Sequence, residues 1–463
     1  IYNQIPENIN DYFAISSLIM SEYPDVYDEK YAMQSLKFLN REPVEIELKL
    51  NKLKDEKIID YLKFQAKLYE FEDIVLNLDS ENLNHLNDFI KSFEKFASYS
   101  DLNLQFVNEL AQEKLFSDFE LTDVQSKLKS NEALIIYSAY WYSADDEITE
   151  NFTQLCITNK EFKISSKVLS SNELELLFNV SENLLRDLVL DKNQYLKISK
   201  DYSELFSRNF SCNPMEYNEV SFITDIPDYF NPNLFIFDEY FIKEAKIRIF
   251  PNIYEFLERV NLKNIKYTDY VGFGDIDYKN TAYDELRDSK EEIISSSVHF
   301  RNKQIFLGKD ANTHSLKDFK NSIIHFAAHN DRVNLRYNSV KSALVLSEAQ
   351  DDNRYLTATD IGKKDFSGSF IILSACSTKN SNENIRNSTS SIYNAFLIAG
   401  ARGIVSTTWD IDSSAAKEFT TKFIRNLSKD TDIYDEFKTV QINMIESEKF
   451  YHPYYWAGFN LYY

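Results

Sequence analysis

Cysteine is scarce, with only Cys156, Cys212 and Cys376 among 463 residues. The number is odd, and the spacings fit neither a zinc-ligand set nor a small disulfide framework. On that ground the sequence is expected to belong to a reducing compartment, the cytoplasm. Glycine and proline are also scarce, at eight each. Every glycine lies between Gly272 and Gly458, and no proline occurs between Pro43 and Pro214. Glycine supplies the positive-φ positions of tight strand-to-helix turns, so turn-rich α/β architecture is expected in the second half of the chain and not the first. No apolar run approaches the roughly 18 to 20 residues of a membrane span, which argues against a membrane protein. The sequence opens on Ile1 rather than Met, so the absence of a leader in it carries no weight. Positive charge is in deficit too: 51 basic against 73 acidic residues leave a net charge of -22. Such a chain repels phosphate backbones and anionic lipid, and a nucleic-acid partner is not expected.

What is present is ample apolar material, 43% of the residues, enough for a sizeable core divided among about two to four domains. Up to about Phe116 the apolar residues recur mostly at three-to-four spacing, as in Leu83, Leu86, Phe89, Ile90 and Phe93, which predicts packed amphipathic helices. No reliable repeat period emerges. From about Asp118 strands enter: 133–141, then a 153–158 and 161–165 hairpin, helices over 171–206, and strands at 220–224, 234–237, 246–250 and 270–274. Helices are predicted at 251–260 and near 280–294. From Gln304 the alternation is regular, with strands at 304–308, 322–328, 342–346, 369–375 and 403–408 and helices at 315–321, 357–362, 389–399, 412–428 and 432–447. The expected fold is α/β, a doubly wound, mostly parallel sheet flanked by helices and preceded by an α-helical N-terminal region.

Two apolar runs end in reactive side chains: Ile323 to His329, followed by Asn330, and Ser369 to Cys376. Both have the near-continuous apolar character of buried parallel strands. Side by side, they would deliver a histidine and a cysteine to the crevice beyond the strands' carboxyl ends, the minimum parts of an activated thiol nucleophile. Taken alone, Cys376 would pass for a small core residue. His325 and His329 are spaced as in helical zinc peptidases, but Phe326 stands where the glutamate base should be. A strand would also spread the pair about 13 Å apart, so His325 is assigned to the core and no metal site is expected. Ser374 lacks the flanking glycines of a hydrolase nucleophile elbow.

Four stretches together resemble a known family. They are Ile323-Ile324-His325-Phe326-Ala327-Ala328-His329, Leu373-Ser374-Ala375-Cys376-Ser377-Thr378, Ala395 to Gly403 leading to Thr408-Trp409, and His452-Pro453-Tyr454-Tyr455-Trp456-Ala457-Gly458-Phe459. In this order they look like the CHAT domain, a caspase- and separase-like cysteine peptidase family often fused to helical repeats. Weaker resemblance at Thr122 to Gln125, Leu134 to Tyr137 and Glu291-Glu292 extends it over most of 118–463. The resemblance implies a caspase-like peptidase domain over 118–463, with a pseudo-catalytic first part to about 265 and a catalytic part from about 266. A helical bundle or degenerate helical-repeat region over 1–117 precedes it.

By the same resemblance His329 is the catalytic histidine and Cys376 the nucleophile, 47 positions apart; caspases place the histidine about 50 residues upstream. The backbone N–H groups of Cys376 and Asn330 are the candidate oxyanion donors, although the family pattern has glycine where this sequence has Asn330. The polar stretch 378–388 is a solvated loop or a gate. Asp410 and Asp412, past the strand ending at Trp409, are candidates for a substrate pocket, with Asp412 equally suited to a helix N-cap. The implied function is a cysteine endopeptidase acting on a protein or peptide substrate. It would need no cofactor, and a partner protein or the N-terminal helices would regulate it. The alternatives are a catalytically silent scaffold or interaction module, and other hydrolytic chemistry on the same fold.

Overall fold

The computed structural model describes residues 119–144, 147–186, 192–224, 226, 229–262, 265–279, 281–335, 339–348, 354–374, 390–409, 411–429 and 431–463. The helical region expected over 1–117, the stretch 378–388, Cys376 and Asp410 lie outside the described residues.

The described residues open with a short helix, α1 (Leu121–Ser126), and the strands β1 (Glu132–Ala144), β2 (Glu147–Thr158) and β3 (Phe162–Val168). Helices α2 (Ser171–Arg186) and α3 (Lys192–Ser207) lead to β4 (Glu219–Thr224), α4 (Phe241–Glu244), β5 (Lys246–Ile249) and α5 (Ile253–Arg259). The second half continues with β6 (Asp269–Gly274), α6 (Ser289–Ser297), β7 (Asn302–Leu307), β8 (Ser322–Phe326), β9 (Asn330–Leu335), β10 (Ser339–Val345) and β11 (Tyr355–Thr357). It ends with α7 (Ala358–Gly362), β12 (Phe370–Leu373), α8 (Ser390–Ile398), β13 (Gly403–Thr407), α9 (Ser413–Leu427), α10 (Ile433–Ile445) and β14 (Phe459–Tyr462).

Among the described residues eleven strands form one sheet in the order β3-β2-β1-β4-β5-β14-β13-β12-β8-β6-β7. Strands β1, β4 and β5 are parallel to one another, and so are β13, β12, β8, β6 and β7. Strand β14 joins the two groups, parallel to β5 and antiparallel to β13, so the two half-sheets point opposite ways. The join has little backbone in it, with Tyr462 opposite Ile249 as its one paired position. Side chains reinforce it. Asn233 Nδ2 donates to the Phe459 carbonyl (2.9 Å) and Asn460 Oδ1 (2.8 Å), and Asn231 Nδ2 donates to the Ala457 carbonyl (2.7 Å). The expected α/β fold, mostly parallel and flanked by helices, is therefore the fold the chain adopts.

Each face of the second half-sheet packs its own helices. Alternation along β8, β12 and β13 sends Ile323, Phe370, Ile372 and Val405 into one core with Ile293 of α6 and Phe419 and Phe423 of α9. The opposite set, Ile324, Phe326, Ile371, Leu373 and Ile404, packs with Ile361 of α7 and Ile392 and Phe396 of α8. Gly272, opposite His325 across β6 and β8, lets α6 come close, since a Cβ there would lie 2.6 Å from Ile293 Cγ2. Gly400 ends the α8 segment at φ 93°, the left-handed position its sequence place predicts.

Several expectations are corrected. The segment 315–321 is not a helix. The Asn312 side chain accepts from His314 and Ser315 N–H to cap a single 3-10 turn, after which the chain extends and buries Leu316 and Phe319. Their three-residue spacing imitates a helical stripe. The strand expected at 234–237 gives way to a 3-10 turn, Pro232–Leu234, where proline occupies the first turn and Asn231 caps it. The strand expected at 342–346 exists as β10, but in a separate antiparallel sheet, β11-β10-β9. The cysteine reading also changes, because Cys156 and Cys212 form a disulfide across 56 residues of sequence. Gln154 holds this bond's surroundings in place, its amide donating to the Cys212 carbonyl (2.9 Å) and accepting from its N–H (3.2 Å). Spacing could not reveal the pair, since the fold brings β2 and the chain after α3 together. The cytoplasmic assignment loses the support it took from unpaired cysteines.

Candidate active site

Strands β8 and β12 are neighbours and parallel, with Phe370 opposite Ile323 and Leu373 opposite Phe326. The pairing runs on beyond the strands, since Ser374 N–H donates to the Phe326 carbonyl (3.1 Å) and Ala327 N–H to the Phe273 carbonyl of β6 (2.9 Å). The offset between paired residues is 47, the same as the separation of His329 from Cys376 along the chain. With Cys156 and Cys212 bonded to each other, Cys376 is the cysteine left to carry a thiol.

His329 is held by the loop that follows β6. Its Nε2–H donates to the Asp284 carbonyl at 2.9 Å, and its backbone N–H donates to Tyr278 Oη at 2.9 Å. Tyr278 Oη in turn donates to the Val345 carbonyl (3.0 Å), which ties this loop to β10. The Tyr283 ring stacks on the imidazole with centroids 5.8 Å apart, and the Tyr278 ring lies 5.0 Å away. Tyr283 also donates to Asp331 Oδ2. Burial, and then the Asp331 carboxylate, push the Tyr283 hydroxyl well above the usual tyrosine range, and burial does the same to Tyr278. Both phenols therefore stay neutral donors. A carbonyl partner fixes the tautomer: with the proton on Nε2, Nδ1 carries the lone pair and is the atom able to accept a proton.

Asn330 follows His329 at the start of β9 and is 7% exposed. It sits opposite Leu344 on β10, and the ladder bond between them runs from Val345 N–H to the His329 carbonyl (2.8 Å). In an antiparallel pair that pattern makes Asn330 a non-hydrogen-bonded position, whose own N–H points away from β10. Its side-chain Oδ1 is buried and has no hydrogen-bond partner among the described residues.

His325 is fully buried. Its Nδ1 meets Tyr270 Oη at 2.9 Å, while Nε2 lies 2.8 Å from Glu292 Oε1 and 3.2 Å from Ser374 Oγ. It is the core histidine expected, although its partners on α6, β6 and β12 were not foreseen. Asp412 caps α9, with Oδ1 accepting from Ser414 and Ala415 N–H at 3.0 and 3.1 Å. Trp409, directly before Asp410, is 8% exposed and donates from Nε1 to the Tyr454 carbonyl (3.0 Å). Gly458 makes room for it, since a Cβ there would lie 2.7 Å from the indole. Among the described residues no cluster of His, Cys, Asp and Glu could hold a metal ion, and no helix is long and apolar enough to cross a membrane. Asp284, Tyr278 and Tyr283 escaped the sequence reading. A backbone carbonyl leaves no trace in residue type, and the two tyrosines are among 30 in the chain.

No curated protein is similar enough to this chain to count as a match. Among solved structures the chain is similar to the Saccharomyces cerevisiae separase–securin complex, at 10% identity and a TM-score of 0.45, covering 98% of this chain and 40% of that one. It thus spans less than half the length of that relative. It is also similar to the Arg-specific cysteine proteinase gingipain R, at 9% identity and a TM-score of 0.34, covering 63% of this chain and 73% of that one. A complex of the pro- and mature domains of the Porphyromonas gingivalis enzyme is similar at 9% identity and a TM-score of 0.30, covering 61% and 70%. The CHAT domain family model matches residues 226–463, which take in β5 to β14 and all four of the sequence motifs, and the chain belongs to the CHAT domain family.

Proposed function

We propose that the chain is a cysteine endopeptidase that cleaves peptide bonds of a protein substrate with Cys376 as nucleophile and His329 as its acid/base partner. The observation that carries this reading is the parallel pairing of β8 and β12 at the offset that separates His329 from Cys376, together with a His329 imidazole held through Nε2 so that Nδ1 is left to act. In the proposed reaction the Cys376 thiol gives its proton to His329 Nδ1, and the sulfur adds to the substrate carbonyl carbon. The tetrahedral oxyanion collapses with expulsion of the amine, which takes the proton from His329. Water then hydrolyses the thioester and frees the thiol. The Asn330 N–H, turned away from β10, suits the role of oxyanion donor beside that of Cys376, each such donor being worth about 3 kcal/mol.

Asp410 and Asp412 are proposed to face the substrate side chain before the cut and to favour lysine or arginine. Asp412 could offer only what its cap leaves over. A division into a first part to about 265 and a catalytic part beyond it is proposed, and the single paired position between β5 and β14, where the two parts meet in the sheet, speaks for it. A protein partner acting through residues 1–117 is proposed as the regulator.

Thiol labelling tests the central claim. With the disulfide intact, iodoacetamide should modify Cys376 alone, faster than a free thiol and dependent on His329, and Cys376→Ala should abolish both labelling and peptide cleavage. A Cys376 no more reactive than a free thiol, with no cleavage of any peptide library, would leave a silent scaffold as the better account.

A further inference from the structure

Below His329, on the face covered by α6 and α9, lies a buried polar chain that the proposed chemistry does not use. Five elements or their extensions each supply one group: Tyr270 from β6, His325 from β8, Glu292 from α6, Thr420 from α9 and Ser374 from the end of β12. His325 is 0%, Ser374 1% and Glu292 3% exposed. The imidazole links three of the partners at 2.9, 2.8 and 3.2 Å, and Thr420 Oγ1 donates to the same Glu292 oxygen at 2.8 Å. Ser374 Oγ also donates to the Phe326 carbonyl at 3.3 Å. Glu291, the neighbour of Glu292, is engaged separately by Lys417 of α9 at 2.7 Å.

A second hydrolytic centre is not what this is. Ser374 is closed off from solvent, and the one imidazole nitrogen near it already faces Glu292. Plain packing does not account for it either, because apolar side chains of similar size would fill the layer without the desolvation cost of a carboxyl group and an imidazole. The chain is placed where precision would count. Its terminal member, Ser374, stands two residues before Cys376, and His325 stands four before His329. The geometry points to Glu292, His325 and Ser374 as positioning residues, which clamp the β8–β12 edge so that the backbone leaving Ser374 is held at a fixed height relative to His329. This rests on the reading of Cys376 as the nucleophile.

The experiment measures the rate of Cys376 alkylation by iodoacetamide in the full chain, by peptide mass spectrometry, alongside the thermal midpoint. Ser374→Ala and Glu292→Ala should each slow alkylation about tenfold, the scale of effect expected when reacting groups shift by a fraction of an ångström. Glu292→Gln, which keeps an oxygen for His325 Nε2–H, should recover most of the rate. The Ser374→Ala/Glu292→Ala pair should be no slower than its slower member, because both break one chain. In a His329→Ala background Ser374→Ala should change nothing further. Thr420→Val, nearly isosteric, replaces Glu292→Ala if that variant does not fold. Wild-type rates in folded Ser374→Ala and Glu292→Ala or Thr420→Val proteins would overturn the proposal, as would a slowing that persists in full without His329. A wild-type Cys376 that is insensitive to His329→Ala would instead bring down the cysteine-peptidase reading, and this inference with it.

Discussion

His329 and His325 lie four residues apart and have opposite surroundings, so their alanine variants should fail in different ways. His329 is partly exposed and held by a carbonyl and two rings. His329→Ala should lower turnover by roughly 10² to 10⁴ and hardly move the thermal midpoint. His325→Ala takes one hydrogen-bond partner each from the buried Glu292 carboxyl and the Ser374 hydroxyl, which should cost about 1–3 kcal/mol and show as a lower melting temperature. Equal midpoints for the two variants would contradict this contrast. The carboxylates past β13 divide similarly. Asp412→Ala removes the acceptor for two backbone N–H groups and should cost α9 about 1 kcal/mol. Asp410→Asn should leave the melt unchanged and erase a preference for lysine or arginine in peptide-library profiling. A preference that is acidic or apolar, and the same in both proteins, would remove Asp410 from the pocket.

Elements were legible in the sequence where one physical signal dominated. β8 and β12 are buried on both faces, so their apolar runs are continuous and mark the strands, although each strand ends two residues before its expected end. α9 carries a cap, Asp412, and a stripe, Ala416, Phe419, Phe423 and Leu427, that agree with each other. The failures came where a local pattern was satisfied by something other than its usual cause. Leu316 and Phe319 repeat like a helix but are buried from an extended chain. Nothing in the polar stretch from Asn330 to Asn334 announces β9, which is stabilised by its partner β10 rather than by its own residues. Long-range pairing was the least visible of all, and the Cys156–Cys212 disulfide is the clearest case. Closing a loop of that length removes denatured-state entropy worth about 4 kcal/mol in the simplest model. Reducing the protein, or replacing either cysteine by serine, should therefore lower the melting temperature of the part containing β1 to β4 while leaving the rate of Cys376 alkylation nearly unchanged.

The molecule as a whole is strongly acidic, and its field extends past any single pocket. A basic peptide should be drawn to it from solution. Raising salt from about 10 mM to about 150 mM shortens the screening length from about 30 Å to about 8 Å, so kcat/KM for a lysine- or arginine-containing peptide should fall over that range. A flat response would mean that encounter is not steered by charge. The join at β14 bears on a different property, resistance to force. Its neighbours meet over four paired positions each, β4 with β5 and β13 with β14, whereas β5 and β14 meet at one. Under tension a sheet gives way where the fewest backbone bonds share the strain. Handles placed on β1 and β7 and drawn apart in an optical trap should find that line first, releasing the molecule in two steps with the earlier rip at the lower force. Replacing Asn231 and Asn233 by alanine should lower that force further, since their amides, more than the backbone ladder, stitch the two half-sheets together.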